Sequence, residues 1–418
     1  MIERRACLID ASVYAGSALV AGGVALFASI PLYREAGRIS AGSYAAGALL
    51  AVVMAFGHAG WKWRAAVAGL VLAGALLLPL ALEVTWRGHS SPGMHAQSEA
   101  IITEEAAKVV VHGRDPYAAT YLHGPLAARP LGTKTHFPYV PAMLVFGLPR
   151  ALWGTRAWTD ARVWFALATL GVVAGVAWSS RGTPHRTIRF AQIVVLIPIA
   201  ALLMVAGGDD LPVVALMLLA LTLALKGRTG WAGAVAGLAA AMKQTAWLLL
   251  PFLLVGIWIE RGGRSARRVA AALFAVGLAI ILPFVLWNPG AFVEDVIRFP
   301  LGIGRQRSAA GTPTLGSLLV RVAPSARTVI TVLLVAVVAA IALPLLVVRP
   351  PRSMQGAAVR SAVVFLVAMA LVPSGRIGYV VYPIDLLAWA WLTPKGIRRT
   401  SRAVHGEPIS GLAPAPTG

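Results

Sequence analysis

The stretch from Trp86 to Tyr139, WRGHSSPGMHAQSEAIITEEAAKVVVHGRDPYAATYLHGPLAARPLGTKTHFPY, is mostly too polar to enter lipid, while nearly everything on either side of it is apolar. Connections longer than about 12–15 residues are uncommon in compact folds and are usually functional. This one gathers Glu99, Glu104, Glu105 and Asp115, four of only 16 acidic residues in the chain. What those carboxylates face decides the function.

The surroundings of that stretch set the class. The chain has 418 residues, 58% hydrophobic and 13% charged, with a mean hydropathy of +0.76. Soluble domains carry about 25% charged residues, and repeated apolar runs of about 17–25 residues are candidate membrane spans. The chain therefore reads as an integral membrane protein. A formal charge of +21 would point to nucleic acid in a soluble protein. Here the Lys and Arg fall in short connections, as the positive-inside rule requires, and no basic domain is present to hold nucleic acid. Cys7 is the single cysteine, which excludes a disulfide framework. Ala11 to Pro31 reads as a span rather than a cleavable signal.

Alternation of charge gives a topology. Arg4 and Arg5 place the N-terminus inside, with spans from Ala11 to Pro31, Gly42 to Gly57 and Ala65 to Val84 leading to the polar stretch outside. Further on, the basic connections are Arg181 to Arg189, Lys226 to Arg228, Arg261 to Arg268, Arg349 to Arg360 and Lys395 to Arg402. Placing them inside makes Gly207 to Asp210, Lys243–Gln244, Asn288 to Ser325 and Pro373 to Gly378 external. Parity then allows one crossing between the long loop and Arg181. Val140 to Leu148, set among Pro138, Pro141 and Pro149, is too short to cross and reads as a helix at the outer surface. Ala161 to Trp178 is the span. The fold expected is an all-α polytopic membrane protein with about twelve transmembrane helices and both termini cytoplasmic.

Three motifs carry a resemblance. Gly113-Arg114-Asp115-Pro116-Tyr117 is followed by Phe137-Pro138-Tyr139-Val140-Pro141. Gly207-Gly208-Asp209-Asp210 then leads into the stretch Gly233 to Gln244. In this order they resemble the GT-C membrane glycosyltransferases, and within them glycosyltransferase family 87, the actinobacterial polyprenol-phosphate-mannose-dependent mannosyltransferases. The likeness runs over roughly residues 82–260 and more loosely to the C-terminus. It divides the chain into two additional N-terminal spans (1–64) and a GT-C-like core (65–260) whose extracytoplasmic loop covers 85–159. C-terminal spans (261–402) with an external loop at 288–325 follow, and then a disordered cytoplasmic tail (403–418).

What the resemblance implies is transfer of a sugar, mannose, from a polyprenyl-phosphate donor to a cell-envelope glycolipid or glycan. The reaction would proceed at the outer face of the plasma membrane, with no cofactor. Counting back from Gly113 to the family's catalytic Asp lands on Glu99, so this chain departs from the family by one methylene. The chemistry asks for a carboxylate to take the acceptor's proton and for cations to meet the charge on the leaving phosphate. Attack opposite the phosphate inverts the anomeric centre. Glu99 is the first candidate base, with Asp115 and Asp209 behind it.

Each candidate has a plainer reading. Glu99, Glu104 and Glu105 fit the solvated side of a short amphipathic helix. Asp115 in Gly-Arg-Asp-Pro fits a turn, and Asp209 fits an Ncap before Leu211-Pro212. Lys243 fits a snorkelling lysine, although its external position also suits a phosphate. Arg298, Arg305 and Arg307, external against the usual bias, suit a lipid phosphate or headgroup, as does His136. Arg376 and Tyr379 fit either the site or an interfacial anchor. His89, His95, His112, His123 and His136 lack tight metal-ligand spacing, and no metal site is expected. The rival class is a transporter or flippase, which calls for inverted repeats and charges near helix centres; a GT-C-like protein without activity is the other alternative. Neither of the transporter's features is visible in the sequence.

Overall fold

The computed structural model describes residues 2–394 except 58, 59, 92, 181 and 309. The expected tail at 403–418 and the last basic connection, Lys395 to Arg402, lie outside the described residues. Among those residues there are helices and no strands.

The N-terminal hairpin is α1 (Ile2–Phe27) and α2 (Pro31–Phe56). Its helices touch at Gly37, where an added Cβ would meet Ala21 O at 2.9 Å. Next, α3 (Trp61–Gly88) is continuous in direction but carries a π turn at Ala73–Leu77, just ahead of Pro79. Proline cannot donate to the helix ladder, and a wider turn accommodates the gap. The polar stretch then folds on α4 (Ser98–Val111). Short helices at Pro141–Phe146 and Leu148–Trp153 lead into α5 (Ala161–Ser180).

A broken span follows, α6 (Pro184–Leu196) and α7 (Pro198–Ala206), bent by 48°. Ile197, before Pro198, is extended at φ −64°, ψ 147°, because a residue preceding proline is pushed out of the helical region. The remaining helices are α8 (Asp210–Leu225), α9 (Thr229–Met242), α10 (Leu250–Arg261), α11 (Gly263–Trp287), α12 (Arg327–Val347), α13 (Met354–Leu371) and α14 (Val381–Leu392). Seven helices are long and apolar enough to cross a membrane, or eight if the bent pair is one span; Asp210–Leu225, Thr229–Met242 and Ile377–Leu392 are shorter apolar helices. The protein is a multi-pass membrane protein.

The centre of the bundle is α8, in which every residue except Leu219, Leu223 and Leu225 is buried. By contrast, α12 buries only Thr331. Helix α9 lies close on α11: a Cβ at Gly233 would fall 2.2 Å from Val269 O, and one at Gly237 2.5 Å from Leu273 O. Small residues four apart let two backbones approach where apolar burial drives nothing in lipid. That is the physical content of the Gly233–Gly237 motif.

The segments assigned to one side by charge alternation meet at one end of the bundle. There the Gln97 amide donates to Ala206 O (2.8 Å), Val140 N donates to Met242 O (3.1 Å), and Gln244 Nε2 donates to Pro138 O and Val296 O (2.9 and 2.6 Å). At the opposite end Arg261 caps Leu225 O and Arg360 reaches Arg349 O. Buried Arg64 and half-buried Arg189 share Asp10 there.

The short helix Pro141–Phe146 packs inward: Pro141, Met143, Leu144 and Phe146 are buried, and an added Cβ at Gly147 would meet Thr103 O of α4 at 2.2 Å. One local expectation is corrected: α4 does not present a solvated acidic side. Glu99 and Glu104 are buried, and only Glu105 behaves as expected, pairing with Lys108 at 2.7 Å. The reason is that α4 is roofed by the neighbouring short helices, which its sequence alone does not reveal.

Candidate active site

At the loop end lies a cavity of about 480 Å³. Its polar wall is Glu99, Lys243, Gln244, Arg376 and Tyr379, and its apolar wall includes Leu334, Val338, Phe365 and Met369 from α12 and α13. Glu99 comes from the first turn of α4. Its Oε1 accepts from Arg376 Nη1, while its Oε2 is buried and has no partner. Arg376 precedes the short turn Ile377–Val380 between α13 and α14.

The floor is a charged cluster. Lys243, displaced from helical geometry at the end of α9 (φ −155°, ψ 140°), donates to Asp209 Oδ1 and Asp210 Oδ1, both at 2.6 Å. Its ammonium also lies 5.3 Å and 5.4 Å from the ring centroids of Tyr139 and Tyr379. Tyr382 donates to Asp210 (2.8 Å) and accepts from Thr245 (2.6 Å). An unpaired buried charge costs far more than a paired one, so the second carboxylate and the aromatic faces are what keep Lys243 buried instead of snorkelling. Asp209 occupies the Ncap position of α8 without capping it. Gly207 enters this turn at φ +105°, its α-carbon facing Ala100 and Arg162 too closely for a side chain.

The two loop motifs lock this end together. Asp115 Oδ1 accepts from Tyr117 N (2.9 Å), a turn bond, and Asp115 is absent from the cavity wall. Tyr117 donates to Tyr139 O (2.9 Å) and its ring packs on Phe137 and Phe292. Phe137 N donates to Asp295 Oδ2 (2.7 Å). Burial pushes the Asp295 carboxyl up to about 8; the Phe137 amide opposes this and Glu294 adds to it. His136 stacks on Phe299 with centroids 4.2 Å apart, and burial lowers its pKa. Phe299, not His136, reaches the cavity.

Arg298, Arg305 and Arg307 are exposed and do not line the cavity. Arg298 pairs at 3.8 Å with Glu294, which also accepts from the Arg305 amide. The cations on the wall are Lys243 and Arg376.

Behind α4 lies a network that was not legible in the sequence. Glu104 accepts from Arg87 (3.0 and 2.7 Å) and from Ala161 N (3.0 Å), with Arg150 at 3.3 Å. Asp160 bridges Arg87 and Arg162. Burial raises the Asp160 carboxyl, but Arg162 and Arg87 outweigh it and hold it well below the usual range. Arg162, one residue inside an apolar span, was the available hint. Among the described residues no group of three or more His, Cys, Asp and Glu side chains could hold a metal.

The fold is a polytopic helical bundle, and at its loop end one carboxylate and two cations stand on the wall of a largely apolar cavity. The chain belongs to glycosyltransferase family 87, whose model matches residues 137–403. No curated protein matches it. Two crystal structures of ArnT from Cupriavidus metallidurans are similar, both with a TM-score of 0.47. The one bound to undecaprenyl phosphate is 18% identical, with 75% of this chain and 58% of that one covered. The apo one is 19% identical, with 78% and 59% covered. The chain thus spans less than two thirds of the length of these solved structures.

Proposed function

We propose that this protein transfers a sugar, mannose, from a polyprenyl-phosphate donor to a cell-envelope glycolipid or glycan, with inversion. The observation that carries the reading is that Glu99 is the one carboxylate on the wall of the cavity among the described residues. The apolar side of the cavity suits a prenyl chain, and Arg376 suits its phosphate. The loop end faces outward, since the basic connections gather at the other end.

In the reaction the acceptor hydroxyl gives its proton to Glu99 as its oxygen bonds to the anomeric carbon. The bond from that carbon to the phosphate oxygen breaks, and the polyprenyl phosphate leaves with the electron pair. A carboxylate held by a guanidinium is a weaker base, so the donor phosphate has a second task. By competing for Arg376 it frees Glu99 when both substrates are present. Lys243, already shared by Asp209 and Asp210, shapes the floor.

The test is transfer of labelled mannose from polyprenyl-phosphate-mannose into membrane glycolipid. Glu99→Gln keeps the shape and cannot take a proton, and is expected to lower the rate by about 10²–10⁴-fold. Activity retained in that variant rules Glu99 out as the base. No transfer by wild type from this donor or from other polyprenyl-linked sugars refutes the reading and leaves a transporter or an inactive scaffold.

A further inference from the structure

The N-terminal hairpin was expected as an addition to the core, and it lies outside the matched residues 137–403. Its position suggests more than an anchor. Tyr33, in the first turn of α2, accepts a hydrogen bond from Gln97 Nε2. Gln97 is the residue on which α4 starts, and its own amide is fixed to Ala206 O at 2.8 Å. Glu99 follows two residues later. The hairpin is itself fastened to the bundle: Ser40 donates to Ala75 O (2.8 Å) and Tyr44 to Leu196 O (2.5 Å).

We infer that Tyr33 is a positioning residue, which through Gln97 fixes the start of α4 and so sets where the Glu99 carboxylate stands on the cavity wall. The physical case is one of tolerance. Glu99 Oε2 has no partner to hold it, and its arm is flexible. Its direction is therefore set by the backbone from which it springs and by Arg376. If the donor phosphate draws Arg376 away, the backbone clamp is what remains. Displacements of about 1 Å can cost roughly 100-fold in rate, so a clamp two residues away is felt at the carboxylate.

This inference rests on the proposed base, and its test separates the two. The full chain in lipid nanodiscs is compared with Tyr33→Phe, which keeps the ring, and with Gln97→Ala, which removes the other partner. Amide hydrogen exchange at residues 97–101 is expected to speed up in both by roughly 2- to 10-fold, the equivalent of one lost hydrogen bond. With polyprenyl-phosphate-mannose as donor, kcat is expected to fall roughly tenfold or more with KM for donor unchanged. The double variant is expected to be no worse than either single one. Unchanged exchange at 97–101, or a raised KM with unchanged kcat, overturns the inference, the latter because Tyr33 would then touch substrate. If wild type transfers no sugar, the proposed function falls, while the exchange measurement still decides whether the hairpin positions α4.

Discussion

Glu99 and Glu104 stand on the same helix, both buried, and differ in their company. Glu104 is met by Arg87 and Arg150 and by the Ala161 amide, so both of its oxygens are engaged. Glu99, on the wall of the cavity, has one oxygen on Arg376 and the other buried without a partner. A fully satisfied buried carboxylate is a rivet, held by partners that cannot leave. A half-satisfied one can take a proton, and its single partner is exposed enough to be borrowed. On the proposed function, the helix that carries both is held at one place and reacts at another.

The comparison can be broken by exchanging the roles. The largest effect on rate is expected from Glu99→Gln, with the melting temperature of the protein little changed. Glu104→Gln is expected to do the reverse. Removing one partner from a buried charge network costs about 3–5 kcal/mol, read as a lowered melting temperature, while kcat per folded molecule stays within a few-fold of wild type. If Glu104→Gln abolishes turnover in protein that melts normally, the assignment of the two residues is wrong.

A smaller effect sharpens the part played by Arg376. Losing a charge-assisted hydrogen bond to a phosphate costs about 1.5–3 kcal/mol, roughly a 10- to 100-fold drop in kcat/KM. Arg376→Ala is expected to show this chiefly as a raised KM for donor. Arg376→Lys should recover part of it. A pure fall in kcat, with donor KM unchanged, would make Arg376 a partner of Glu99 and nothing else.

The last prediction concerns stability and not rate, at Asp295 beside the cavity-lining Val296. Asp295 is raised to about 8 in the folded protein and has the ordinary carboxylate value, about 3.9, when unfolded. The folded state therefore binds the extra proton between those values. The contribution to stability is full below about 4 and is lost as pH rises through about 8. Asp295→Asn, which still accepts from Phe137 N, is expected to flatten this decline of melting temperature between pH 4 and 8. A wild type whose melting temperature rises over that interval, with the slope unaltered in Asp295→Asn, would contradict it.

The sequence by itself determined that the chain is a helical, multi-pass membrane protein. Its apolar runs leave the backbone no other way to satisfy its hydrogen bonds in lipid. It also singled out Glu99, Asp209, Lys243, Arg376 and Tyr379, which the structure brings to one end of the bundle and, Asp209 excepted, onto one cavity wall. Their oddity was visible as charge at the ends of apolar runs. The tertiary structure alone decided which of these groups are engaged and which are free. It gave Lys243 to Asp209 and Asp210, and Asp115 to its own turn. It left Arg298, Arg305 and Arg307 off the cavity wall and buried Glu104 between Arg87 and Arg150, from two other segments. It also brought Tyr33 to Gln97 across 64 residues. Hydropathy is a property of each residue and is legible one segment at a time. The proton affinity and reach of a buried charge belong to its neighbours, and those are set by how distant segments pack.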